Sequence, residues 1–294
     1  MSKNSHSPPL SQLELPIARP RMPDRNADKG GRSFYFFDFD DNVMRLDTCI
    51  YIFDRTTGAE LALSTRRFAE VHPLVGKPGP FEHLEIRLDD ATGSYRRFRD
   101  LSPAEVDGHE QPFVEDLTAA LQKGDLLWKG PSWSFFFHAV YNGRPVAVIT
   151  ARGHHPDTLR AGIGELYTRG ILTAAPNYLG LYPVSHPVVR AELGDPGVVC
   201  SIPELKKAAI IRSVEVAMQR YGKNPYHRFG MSDDDPKNVA LIVEAMIELK
   251  TRYPDNAFFV INTSTEPAVK TEVLVGSTFT EHVPFAAQLR LFDG

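Results

Sequence analysis

The stretch Phe34-Tyr35-Phe36-Phe37-Asp38-Phe39-Asp40-Asp41-Asn42 constrains this chain most tightly. Alternate side chains of a strand point to opposite sides, so four consecutive aromatic residues cannot line a strand with one wet face. They need apolar cover on both sides, the condition of a central parallel strand between two helical layers. Asp38 and Asp40 follow on one side of the extended segment, at the carboxyl end of the strand, where open α/β sheets bind ligands. Carboxylates this close repel unless a proton or cation sits between them. The simplest occupant is a hard divalent ion such as Mg²⁺ with an anionic substrate on its far side. Asp-x-Asp is common in turns, so the pair carries weight only together with the rest of the chain.

At 294 residues and 42% hydrophobic content, the chain can bury one large core, or one core plus an inserted piece. A net charge of −4 offers no general attraction to nucleic acid or anionic membrane, so an anionic substrate needs local cations. No apolar run approaches the roughly 20 residues that span a bilayer. Cys49 and Cys200 are far apart and fit free thiols in a reducing compartment. With no hydrophobic signal core at the N-terminus, the expected location is the cytoplasm.

Residues 1–31 are rich in Pro, Ser, Arg and Asn and read as a mobile tail. After the aspartates, Ile50–Phe53 and Glu60–Ser64 flank Asp54-Arg55-Thr56-Thr57-Gly58, a hairpin pattern. A second hairpin is expected from Leu84–Arg87 to Tyr95–Phe98. With a closing helix over Pro112–Lys123, residues 49–130 read as an inserted, mostly β flap or cap, and 32–48 with 131–294 as the core. Trp133, Phe136, Phe137 and Val140 recur at helical spacing, and Pro145–Thr150 is a buried strand ending in a hydroxyl. A helix over Pro156–Arg169 and a strand over Tyr178–Val184 follow. Ser201-Ile202-Pro203-Glu204 has capping-box spacing and opens a helix that stops at Gly222. His227–Ser232 leads to Asp233-Asp234, Asp235 caps a helix starting at Pro236, and Ala257–Ile261 is another buried strand. This alternation gives a three-layer, doubly wound parallel sheet, and such a sheet gathers all its strand ends on one edge. Asp38, Asp40, Thr150, a helix-start lysine, Asp233 and Asp234 therefore converge.

In pattern and motif order the chain resembles the haloacid dehalogenase superfamily of phosphatases and phosphotransferases. The motifs are Phe37-Asp38-Phe39-Asp40, Val148-Ile149-Thr150, a lysine near a helix start, and Met231-Ser232-Asp233-Asp234, spread over residues 32–262. The 112 positions from Asp38 to Thr150 leave room for a cap. The resemblance implies Mg²⁺-dependent hydrolysis of a small phosphorylated substrate. Asp38 would be the nucleophile and Asp40 the acid and base, with the Asp40 backbone carbonyl on the metal. Thr150 would hold phosphoryl oxygens, Lys206 or Lys207 would neutralise charge, and Asp233 and Asp234 would join Asp38 and Asp40 around the metal. Spacing leaves both lysines open, with Lys206 nearer the helix cap. Arg152, His154 and Asn42 are the expected substrate contacts, although His154 and His155 also fit a plain turn before Pro156. Asp41-Asn42 departs from the Gly-Thr common in the superfamily, placing an extra carboxylate that either points away or touches the cap. A phosphate-accepting receiver domain is far shorter than this chain. A phospholigand-binding protein without turnover remains an alternative, as does a nucleic-acid phosphatase using Arg66, Arg67, Arg87, Arg96, Arg97 and Arg99.

Overall fold

A computed structural model describes residues 20–89, 91–106 and 108–283. The aromatic run forms β1 (Ser33–Phe37). An outlying segment follows with β2 (Cys49–Asp54), β3 (Glu60–Ser64), α1 (Thr65–Val71), β4 (Leu84–Glu85) and the single turn α2 (Pro103–Val106). The chain returns through α3 (Pro112–Ala120), α4 (Asp125–Trp128) and α5 (Trp133–Tyr141). Then come β5 (Pro145–Thr150), α6 (Pro156–Thr168), β6 (Asn177–Pro183) and α7 (Pro187–Glu192). The last elements are α8 (Ile202–Tyr221), β7 (Arg228–Asp233), α9 (Pro236–Arg252), β8 (Ala257–Asn262), β9 (Ala268–Leu274) and β10 (Ser277–Val283).

The larger sheet has seven strands in the order β10-β9-β8-β7-β1-β5-β6. Strands β8 to β6 in that order are parallel, and β9 and β10 extend the edge antiparallel. β1 lies between β5 and β7, so the chain winds away from it in both directions and a crevice opens at its carboxyl end. The aromatic run meets both helical layers. Phe34 and Phe36 join the cluster under α8 and α9, with Ala209, Ile210, Ile242 and Met246. Phe37 joins the opposite cluster, with Phe113, Phe136, Leu159 and Ile163 from α3, α5 and α6. Burying each such side chain stabilises the fold by roughly 1.5–3 kcal/mol, so this run anchors both cores.

Helix starts follow the local chemistry. Ser201 accepts from the Glu204 N–H, and the Glu204 carboxylate accepts from the Ser201 N–H at 2.7 Å, completing the capping box. Asp235 caps α9 through the Lys237 N–H at 2.9 Å, with Pro236 in the first turn. His155 caps α6 by accepting from the Asp157 N–H. α3 sits on α6 closely enough that a Cβ at Gly162 would come within 2.5 Å of the Phe113 ring. α3 thus belongs to the main core rather than to the outlying sheet.

That second sheet has three strands in the order β3-β2-β4, with its own apolar cluster of Ile50, Ile52, Leu63, Phe68, Val71 and Leu84. The first hairpin forms as expected, its turn held by Thr56 and Thr57 N–H groups on Asp54. The second does not. β4 pairs with β2 instead, and Arg96–Phe98 is a 3₁₀ turn. Burial of aromatic rings outweighs strand pairing here: Tyr95 packs edge-on against Phe68 at 5.7 Å, and Phe98 turns toward the main body. Most of the insertion's arginines meet carboxylates: Arg67 pairs with Glu70, Arg87 with Glu85, Arg96 with Glu60, and Arg97 with Glu115 and Asp116.

Residues 1–19 of the expected tail lie outside the described residues. The remainder is pinned, with Asp24 on Arg144 at 2.6 Å and the Met22 N–H donating to Asn142. Among the described residues no helix is long and apolar enough to cross a membrane.

Candidate active site

Asp38 continues β1 by one residue, its N–H donating to the Ser232 carbonyl of β7 at 3.0 Å. Asp233, the last residue of β7, lies beside it. Lys206 reaches in from the first turns of α8 and places Nζ 2.7 Å from Asp38 Oδ1 and 3.3 Å from Asp233 Oδ2. All three side chains are buried. Lys207 points elsewhere and pairs with Glu248 at 3.3 Å on the surface. Successive helical residues are rotated by about 100°, so the two lysines cannot share a face. Lys206 falls on the buried stripe of Leu205, Ala209, Ile210 and Ser213, a periodicity in the sequence that separates it from Lys207.

Carboxylate oxygens of Asp38, Asp233 and Asp234 all lie within 4.8 Å of one another. Burial pushes the Asp38 carboxyl well above the usual range; the Lys206 ammonium opposes this, and Asp233 and Asp234 reinforce it. Asp234 is pushed up to about 7 by burial, then by Asp233 and Asp41. Burial alone would lower the Lys206 pKa, but Asp38 and Asp233 outweigh it and hold the ammonium protonated. One cation faces three acids, so the group is short of positive charge. Hard oxygen donors in this arrangement could hold a hard divalent cation such as Mg²⁺. Asp233 is further oriented by the Asp235 N–H at 2.9 Å and by Asn238 Nδ2 at 3.2 Å.

The Asp40 side chain stands apart from this group. Arg152 Nε lies 3.0 and 2.9 Å from its two oxygens, Nη2 lies 2.7 Å from Oδ1, and Thr150 Oγ1 donates to Oδ2 at 3.1 Å. Thr150 is itself buried and also receives the Arg152 N–H at 3.3 Å. Asp41 adopts the left-handed conformation, φ 59°, which Asp tolerates better than most residues. Its carboxylate accepts from Thr65 Oγ1 at 2.6 Å, at the start of α1, so the extra acid touches the insertion.

None of the three expected substrate contacts is open to a ligand. Arg152 is 0% exposed and committed to Asp40 and Thr48. His154 is also fully enclosed, neither ring nitrogen has a partner, and burial followed by the Arg152 charge holds it well below the usual histidine range. Asn42 is buried and fully used: Nδ2 donates to the Asp38 and Ser232 carbonyls at 3.0 Å, and Oδ1 accepts from Ser132 and Thr263 hydroxyls at 2.7 Å. It fastens the aspartate loop to β7 and to the chain on either side. Thr48, Ser132, Asn238 and Thr263 have no motif signal of their own, because single hydroxyls and amides are scattered through any sequence.

Beside this hub lies a cavity of about 430 Å³, lined by Arg45, Lys129, Trp133, Phe135, Thr265 and Pro267 among others. One wall is pressed onto the aspartate loop: the Gly130 N–H donates to the Val43 carbonyl, and a Cβ there would meet Asn42 O at 2.3 Å. No family model matches this chain, and no curated protein or solved structure matches it either.

Proposed function

We propose that this chain is a divalent-metal-dependent phosphohydrolase acting on phosphate monoesters through an aspartyl-phosphate at Asp38, as its resemblance to the haloacid dehalogenase superfamily implies. The observation that carries this reading is the buried contact of Asp38 with Lys206, itself shared with Asp233, at the strand where the sheet winds both ways. Asp38, Asp233 and Asp234 are the residues that would hold Mg²⁺, which when bound supplies charge neutralisation for the phosphoryl oxygens.

In this reading Asp38 attacks phosphorus. The bond to the leaving oxygen breaks, its electron pair stays on that oxygen, and Asp40 supplies the proton. Lys206 keeps the Asp38 carboxylate oriented and offsets the charge of the incoming phosphate. Asp40, now a carboxylate, takes a proton from water as the water oxygen attacks the same phosphorus. The bond to Asp38 breaks, and inorganic phosphate leaves with the carboxylate restored. Positioning and charge account for most of the rate, as phosphoryl transfer requires. The carboxylate pairing of most insertion arginines weighs against a nucleic-acid substrate.

The test is release of inorganic phosphate from a panel of phosphomonoesters, with and without Mg²⁺, by the wild type and by Asp38→Asn. Mg²⁺-dependent turnover that disappears in the variant supports the reading. A wild type silent on every ester, yet binding Mg²⁺ or a phosphorylated ligand, turns it to the phospholigand-binding alternative.

A further inference from the structure

Arg152 is one of the largest side chains wholly removed from solvent, and its charge meets a single carboxylate, that of Asp40. A buried guanidinium with one partner is costly unless its position matters or its surroundings compensate. Here the surroundings are unusual in origin. The guanidinium carbon lies 4.6 Å from the Phe98 ring centre, contributed by the insertion, and 4.9 Å from that of Phe113, contributed by α3. Nη2 donates to Thr48 Oγ1 at 2.7 Å, and that hydroxyl donates to Asp116 at 2.7 Å. The insertion is fastened at the same point, the Gly153 N–H donating to the Phe98 carbonyl at 2.8 Å. Asp40 is thus gripped by a planar fork, and one of the two rings packed beside the fork belongs to the insertion.

We infer that Arg152 is a positioning residue for Asp40, and that the insertion takes part in proton transfer to the leaving group by clamping Arg152 through Phe98. The inference rests on the phosphohydrolase reading. Arg152 is sealed, so it does not touch substrate, and its contribution passes through the orientation of the Asp40 carboxylate. An alkyl leaving oxygen depends on a well-placed proton donor, whereas a nitrophenolate leaves with little help.

The experiment compares kcat and KM of the full-length protein on p-nitrophenyl phosphate and on a primary alkyl phosphate, for wild type, Arg152→Ala, Arg152→Lys and Phe98→Ala. Arg152→Ala is expected to lower kcat on the alkyl ester about 100-fold or more and on the aryl ester less than about tenfold, with KM nearly unchanged. Lys at 152 recovers only part of the loss, because an ammonium cannot reproduce the fork. Phe98→Ala shifts the two esters in the same unequal way by a smaller factor, about tenfold on the alkyl ester. It leaves the Arg152–Asp40 pair intact, so it decides the matter even where Arg152→Ala does not fold. Equal losses on both esters, or a rise in KM with kcat unchanged, would overturn the inference. A wild type silent on every phosphomonoester of the panel removes the parent reading and this inference with it. A wild type that turns over and is silenced by Asp38→Asn, with equal losses in the Arg152 and Phe98 variants, removes this inference alone.

Discussion

Two buried charge groups stand two residues apart at the end of β1, and they are built on opposite principles. Around Asp40, one carboxyl group meets one guanidinium and one hydroxyl, so a single acid faces a single cation. Around Asp38, one ammonium serves Asp38 and Asp233 while Asp234 stands close by, and burial first, then the neighbouring carboxylates, raises the proton affinities of Asp38 and Asp234. The balanced group is a clamp on the Asp40 carboxyl, although Arg152 Nη1 is left without a hydrogen-bond partner. The unbalanced one is held together by the fold around it and is suited to take up a cation, as functional sites with perturbed carboxylates often are.

The sharpest way to break this contrast is Lys206→Met. It leaves three clustered acids without their cation, so turnover in the proposed reaction falls by about 1,000-fold or more. Stability of the metal-free protein drops by about 3–5 kcal/mol, measured by urea melts at pH 8. Adding Mg²⁺ recovers part of the stability and little of the activity.

Asp234→Asn moves stability the other way. The folded pKa of Asp234, about 7, lies above its unfolded value of about 3.9. Its proton therefore favours the folded state at low pH, and that contribution is lost as pH rises from about 4 through about 7. The Asn variant escapes the loss. Metal-free Asp234→Asn should be about 1–3 kcal/mol more stable than wild type at pH 8, with the difference closing toward pH 4. Mg²⁺ should stabilise it less than it does the wild type. A variant destabilised equally at both pH values would contradict the charge imbalance described here.

His154 sharpens the comparison from the clamp side. Its folded pKa is lowered, so above about 6.5 the ring is neutral in both states and pH has no effect through it. As pH falls below about 6.5 the unfolded chain gains a proton that the folded one refuses, and stability declines by up to about 1.4 kcal/mol per pH unit. His154→Leu should remove that decline and stabilise the protein by about 1 kcal/mol at pH 7, since neither ring nitrogen has a partner to lose. The smallest effect belongs to Lys207→Ala, which removes a surface pair with Glu248 and should change stability by less than about 0.5 kcal/mol with activity intact.

Much of this fold is legible in the sequence. The four aromatic residues from Phe34 to Phe37 demanded cover on both faces and received it. The capping box at Ser201 and the Asp235-Pro236 start were correct because such signals act over three or four residues. Parallel strands sharing one edge put Asp38, Thr150 and Asp233 at neighbouring strand ends, yet Thr150 bonds Asp40 rather than joining Asp38 and Asp233. The edge pair β9 and β10 was missed, although Val275-Gly276 between two short alternating runs, with Gly276 at φ 76°, is a hairpin signal. The second hairpin of the insertion was expected and did not form, because the preference of Tyr95 and Phe98 for buried partners lies outside local pairing rules.

What the sequence determined by itself was therefore the periodic and the local: which strands are central, where helices begin, and which acids sit at strand ends. Tertiary structure alone decided what each polar side chain does there. Arg152 suits a phosphate by its chemistry, and only the placement of Phe98, Phe113 and Thr48 around it turns it toward Asp40. Asn42 likewise becomes a fastener because Ser132 and Thr263 arrive from positions 90 and 221 residues away. Charge balance is a sum over neighbours brought together from distant parts of the chain, and no local pattern carries that sum.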